Sequence, residues 1–256
     1  MLTGGTWAAF SAPQSKARIH GAAIPWWEDF NEHVLEWRPD GIGEHRGLIS
    51  PEICDLLRDV DAADEPQLPE CANPRRWGAW PLEGQYSRGE DSARYLLVQA
   101  RGRAWAKLFL DRGWANLVPV LLGVPPLPLG GRCLVLQFRA SGAVALVFVI
   151  HTPETDERPV SVTIAAGKPA VALTRLPHCD CDACDDGSAD LLREMDPLAL
   201  SVVDGSIRVE RGAHGYSMRT SFGGVGRAKS PLAGTFAGVP WPERWTARTL
   251  ISQFPT

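Results

Sequence analysis

The 256-residue sequence has no basic excess: 26 Lys and Arg stand against 30 Asp and Glu, a net charge of -4. Proteins that grip nucleic acid through its phosphates usually carry the opposite balance, so nucleic acid is not the expected partner. No apolar run approaches the roughly 20 residues that a membrane-crossing helix needs. The longest stretch, 117–129, is broken by Pro119, Pro125, Pro126 and Pro128. The first 21 residues lack the basic-then-apolar order of a secretory leader, which makes the cytoplasm the expected compartment.

Familiar catalytic elements are missing too. There is neither a Gly-x-Ser-x-Gly elbow nor a His-Glu-x-x-His helix. The six histidines are scattered and suggest no Ser/His/Asp triad. No repeat of 20 to 50 residues recurs, which excludes a solenoid or a propeller. The composition is otherwise that of a globular protein, with 45% hydrophobic and 22% charged residues. Bulk disorder does not fit it.

Helical patterns come first along the chain. One runs over 26–37. A second begins where Ser50 suits the N-cap and Pro51 the first turn, and continues through Ile53, Leu56, Leu57 and Val60. A third is expected after Ser87-Arg88-Gly89-Glu90, a capping-box pattern, with Leu97, Val98, Ala104, Trp105, Leu108 and Phe109 as its apolar stripe. Gly113 is its expected stop and Gly102 an internal weakness.

Strand patterns come later. The runs 133–138, 145–150, 160–165 and 170–176 are short and rich in β-formers, and the turns between them hold Gly142 and Gly167. They predict an antiparallel meander. A short helix over 188–195 should follow, then a hairpin over 200–209 turning on Asp204-Gly205, and a strand over 216–221. A last short helix is possible over 244–252. The expected fold class is therefore α+β, with N-terminal helices packed on a mostly antiparallel sheet. The expected divisions are a loosely ordered segment 1–24, a helical part 25–118, a sheet part 130–222 and a Gly/Pro-rich tail 223–256. Residues 25–222 can form one domain.

The stretch with chemistry is His178-Cys179-Asp180-Cys181-Asp182-Ala183-Cys184. A Cys-x-Cys-x-x-Cys spacing brings thiols together when the backbone turns tightly. In a reducing compartment such cysteines are better read as metal ligands or packing residues than as disulfides. Asp180, Asp182, Asp185, Asp186 and Asp190 crowd the loop. Their charge disfavours free thiolates, whereas a reactive thiol wants positive surroundings. A divalent cation reverses that balance.

The expected ligands are thus Cys179, Cys181 and Cys184, with zinc as the metal and a structural role ahead of a catalytic one. His178 is the adjacent candidate for a fourth ligand, and Cys133, His151 or Cys71 are remote ones. Reduced cysteines in a plain turn, or a redox pair of Cys181 with Cys184, remain open. Calcium is disfavoured because the Asp-x-Asp-x-Asp-Gly order is absent. Part of the acid run has a structural reading: Asp186 or Ser188 can cap the next helix, and Asp190 suits its positive end.

Other features are weaker. Gly223-Gly224-Val225-Gly226-Arg227-Ala228-Lys229-Ser230 resembles a phosphate loop, but Pro231 follows and no βαβ context surrounds it. Trp26, Trp27, Trp77 and Trp80 suit core packing better than a stacking surface. Arg75-Arg76 and Arg101-Gly102-Arg103 read as solvated basic spots.

The run from Leu176 to Ser188 with the Asp-Gly turn after it resembles an uncharacterised bacterial family known from high-GC genomes. That family's pattern is a strand, a cysteine and aspartate loop, then a short helix. The segment Arg103-Ala104-Trp105-Ala106 is similar as well. The resemblance implies no activity. Three functions follow from the residues: a zinc-binding module that binds or regulates a protein partner; an enzyme with an open metal site, using Asp182, Asp185 or Asp186 as base or ligand; or a metal-free protein that sequesters a partner, as an immunity protein does, through its acidic loop.

Overall fold

A computed structural model describes residues 25–37, 47–63, 81–87, 89, 92–118, 132–151, 160–179, 181–185, 187–212, 215–228 and 234–250. Helices α1 (Trp26–Trp37), α2 (Pro51–Ala63) and α3 (Leu96–Asp111) lead into five strands, β1 (Ala115–Val118), β2 (Arg132–Phe138), β3 (Leu146–His151), β4 (Ser161–Ala166) and β5 (Val171–Leu176). These pair in sequence order as one antiparallel meander. Helix α4 (Ser188–Val203) follows. A second antiparallel sheet, of β6 (Ile207–Gly212), β7 (Gly215–Thr220), β8 (Gly224–Ala228) and β9 (Phe236–Ala237), has the order β8-β7-β6-β9. The class is α+β.

Strands β3 and β4 are buried along their whole length. Side chains alternate across a strand, so such strands need cover on both faces. Leu146, Phe148, Ile150, Val162 and Ile164 join the main core, whereas Val147, Val149 and Ala165 join a second cluster with Val135 and Ala170. Helices α3 and α4 pack on the sheet, and α2 packs on α3. Gly102 serves this packing: a Cβ there would touch Met195 of α4 at 3.4 Å and Phe148 of β3 at 3.6 Å. Ile207, Val209, Met218 and Phe222 bring the second sheet into the same core.

One carboxylate ties the helices together. Asp196 on α4 is 0% exposed and Arg101 on α3 is 1% exposed. Arg101 donates to Asp196 through Nε (2.9 Å) and Nη2 (2.7 Å). Trp105 and Trp26 donate their indole N–H to the same carboxylate at 2.8 and 3.1 Å. Nη1 of Arg101 reaches Asp61 on α2 at 2.6 Å. Burial works against the guanidinium's charge, but Asp196 and then Asp61 outweigh it and push its pKa up. Arg101 is therefore no solvated basic spot: a buried carboxylate on a distant helix holds it inside. Trp27 is buried and Trp26 packs against the core, as packing residues should. Trp77, Trp80, Arg75 and Arg76 lie outside the described residues.

Several expectations change. Helix α3 begins at Leu96, after a 3-10 turn Ser92–Tyr95, and has no side-chain cap. Gly113 does end it, at φ 66°. The predicted strand over 200–203 is the last turn of α4, which runs through Pro197. Its Ala199, Leu200, Val202 and Val203 are all buried, so their apolar run reads equally well as strand or helix. Asp204-Gly205 ends that helix: Asp204 accepts the Ser206 N–H at 2.8 Å and Gly205 takes φ 74°. The hairpin is one element later, β6 with β7. The phosphate-loop look-alike contributes strand β8, paired with β7, and its Lys229 and Ser230 lie outside the described residues. Among the described residues of 234–250 there is a short strand and no helix.

Candidate metal centre

The cysteine loop leaves β5 through a cis Leu176–Pro177 bond and returns to the fold where α4 begins. Between them Asp182–Cys184 forms a single 3-10 turn, closed by the Cys184 N–H on the Cys181 carbonyl at 3.1 Å. The turn folds the chain back so that the Sγ atoms of Cys179, Cys181 and Cys184 all lie within 4.8 Å of one another. Cys179 and Cys181 are 3.1 Å apart. Cys184 is exposed and the other two are half-buried.

The loop is pinned from outside by Arg94, in the 3-10 turn before α3. Its Nη2 donates to Asp182 at 2.9 Å and its Nη1 pairs with Asp185 at 3.1 Å. Asp185 is 4% exposed, so Arg94 is a counter-charge brought to a buried carboxylate. Its Oδ1 also accepts the Gly187 N–H at 3.0 Å, and Gly187 sits at φ 84° as the α4 N-cap. The helix start is thus shaped by Asp185 and glycine. Ser188, expected as a cap, is the first helical residue instead, and Asp186 lies outside the described residues. Asp190 does lie in the first turn. The 3-10 turn Glu83–Ser87 packs against the loop from another side.

The three thiols are unequal. Burial, then hydrogen bonding with Cys181 and Cys184, pushes the Cys179 pKa up to about 12. Burial also raises that of Cys181, but hydrogen bonds from Cys179, Cys184 and the N–H groups of Cys184 and Ala183 outweigh it, and the net shift is downward. The two shifts run in opposite directions because the same sulfur–sulfur contact raises Cys179 and lowers Cys181.

His178 faces away from this group: its Nε2 is 2.6 Å from Glu194 on α4. It stands outside the converging set, as do Cys133 and His151. Cys133 sits on β2 in the second apolar cluster, where burial raises its pKa. His151 is buried on β3, with Nε2 2.9 Å from Thr163 Oγ1. Cys71 and Asp180 lie outside the described residues. Arg94 and its neighbour Tyr95 were missed in sequence, because the capping-box reading placed them inside a helix. The usable signal was the acid-rich loop itself, which requires a cation.

A family of unknown function, DUF6226, matches residues 64–249. The chain belongs to this family. The matched span contains the whole cysteine loop and Arg94, so both sit within the family's domain. No curated protein and no solved structure matches the chain. No helix among the described residues is long and apolar enough to cross a membrane. A groove lined by Arg112, Trp114, Arg139, Trp241, Arg244 and Trp245 includes no residue of the loop.

Proposed function

We propose that the chain is a metal-binding α+β module that holds zinc through Cys179, Cys181 and Cys184, with a binding or regulatory role in a reducing compartment. The convergence of the three sulfurs carries this reading. A tetrahedral zinc with Zn–S bonds near 2.3 Å separates its sulfurs by roughly 3.8 Å. The observed separations, 3.1 Å for Cys179 and Cys181 and no more than 4.8 Å for any pair, bracket that value. A small adjustment of side-chain torsions suffices. The electrostatics favour a cation as well: the loop that gathers the three sulfurs also carries two carboxylates, Asp182 and Asp185, against the single guanidinium of Arg94. A divalent ion would turn crowded thiols into ligands and fix the turn between β5 and α4.

The two other readings find less support. A base or acidic docking face built on Asp182 and Asp185 would have to break their pairing with Arg94 first. Fourth-ligand candidates are His178, after release from Glu194, or a group outside the converging set. The test is metal content of the purified full chain. One equivalent of zinc is expected, lost on replacing the three cysteines by serine. No stoichiometric metal, with an unchanged melting curve in the serine variants, would refute the proposal.

A further inference from the structure

The groove apart from the cysteine loop lies where the corner between α3 and β1 meets the end of β2 and the tail. Its volume is about 520 Å³, within the range of small-molecule sites. Trp114 and Trp245 stand 5.7 Å apart at 73°, so two indoles form a corner in its wall. Trp241 is the most buried residue of the lining, at 4% exposed. Its ring stacks on Phe138, and its backbone N–H is fixed on the Val203 carbonyl at 2.9 Å. Its indole N–H has no acceptor among the described residues. A buried donor left so is costly, and it favours a ligand that carries acceptors.

Charges of both signs surround the indoles. Arg112 is already engaged: it pairs with Asp59, outside the lining, and its guanidinium lies 5.0 Å from the Trp114 ring centre. Arg139 has a neutral partner, the Asn116 Oδ1 at 3.2 Å. Arg244 and the two acids of the lining, Glu52 and Glu243, enter no ion pair among the described residues. Two cations and two carboxylates are therefore left for a ligand. A simple anion would meet Arg139 and Arg244 but would also face the two carboxylates. A simple cation would meet the reverse. A ligand that carries both signs matches the whole set. A flat ring on the same ligand matches the indole corner, where aromatic groups gain from edge and face contacts.

We propose that this groove binds a small zwitterion with a flat ring, the chemistry of a free aromatic amino acid. Its carboxylate goes to Arg139 and Arg244, its ammonium to Glu52 and Glu243, and its ring to the corner of Trp114 and Trp245. The site stands or falls independently of the metal at the cysteine loop.

The test is calorimetry on the full chain with L-phenylalanine, L-tyrosine and L-tryptophan, each compared with phenylacetate, phenethylamine and adenosine monophosphate. At least one amino acid should bind at millimolar concentration or below. Phenylacetate lacks the ammonium and phenethylamine the carboxylate, so each should bind at least about tenfold more weakly, the scale of a charged group left unmatched. Arg244→Gln and Glu243→Gln should each weaken the amino acid at least about threefold, as expected for partly exposed charges, with unchanged melting curves. No binding by any of the three amino acids would overturn the proposal. So would a smaller gap to either analogue, because one sign of charge would then suffice. Tighter binding of adenosine monophosphate would overturn it in favour of an anion site. Binding that survives either substitution would place the ligand elsewhere and overturn it too.

Discussion

Replacing Asp196 by alanine removes a carboxylate that Arg101 and two tryptophan indoles share. The guanidinium of Arg101 would remain buried, and Asp61, which still pairs with it, is 47% exposed. Breaking a buried pair from one side costs about 3–5 kcal/mol, because the surviving charge is left without its partner. The buried indole N–H of Trp105 and the half-buried one of Trp26 lose their acceptor in the same step, which places the expected loss at the upper end of that range. For a chain of this size about 4 kcal/mol corresponds to a fall in Tm of roughly 8–16 °C.

The effect should reach the cysteine loop, because Asp196 joins α3, which follows Arg94, to α4, which follows Cys184. Denaturant melts of the metal-free protein would measure the stability, and Asp61→Asn is the control. That partner is half-exposed, so its loss should cost under about 1 kcal/mol. A loss below about 1 kcal/mol for Asp196→Ala would refute the assignment of Asp196 as the tie between the helices.

Three further outcomes are expected. Arg94→Ala leaves Asp185 buried without its cation. It should cost about 3 kcal/mol in chemical melts and weaken metal binding tenfold or more, on the order of other outer-shell losses. Asp204 is fully buried, and burial raises its pKa from 3.8 to about 6 despite the Ser206 hydrogen bonds and Arg248. The folded state then binds the extra proton, so stability is full below about pH 4 and falls by about 3 kcal/mol as pH rises through 6. Asp204→Asn keeps an acceptor for the Ser206 N–H and should flatten that slope in melts from pH 4 to 7; an unchanged slope would refute the assignment. Gly205→Ala forces a side chain into φ 74° with its Cβ 2.5 Å from the Pro240 nitrogen. It should destabilise by roughly 2 kcal/mol or more, read by thermal melting, and a neutral result would contradict the close packing of the tail.

The meander was legible because its strands alternate between two apolar clusters, and because Gly142 and Gly167, both at positive φ, mark its turns. The thiol cluster was legible for a local reason: three cysteines within six residues need only one tight turn to meet. What lay beyond local pattern was not. Arg101 looked like surface because nothing near it in sequence hints at Asp196, 95 positions away. The last turn of α4 looked like a strand because Leu200, Val202 and Val203 are buried whichever period is assumed. The Asp-Gly that follows, normally a hairpin signal, here shapes a helix end against Pro240. Strand β8 hid in a glycine-rich run whose pairing with β7 no composition reveals. Arg94, the cation that the loop requires, comes 88 residues before Asp182 and waited on the fold to bring it there.

The proposal that this module is built around a metal is tested most directly by X-ray absorption at the zinc edge of the loaded full-length protein. The account predicts at least three sulfur neighbours at about 2.3 Å, one of them lost in each single replacement of Cys179, Cys181 or Cys184 by serine. A first shell of nitrogen and oxygen alone, or one unaltered by those replacements, would contradict it.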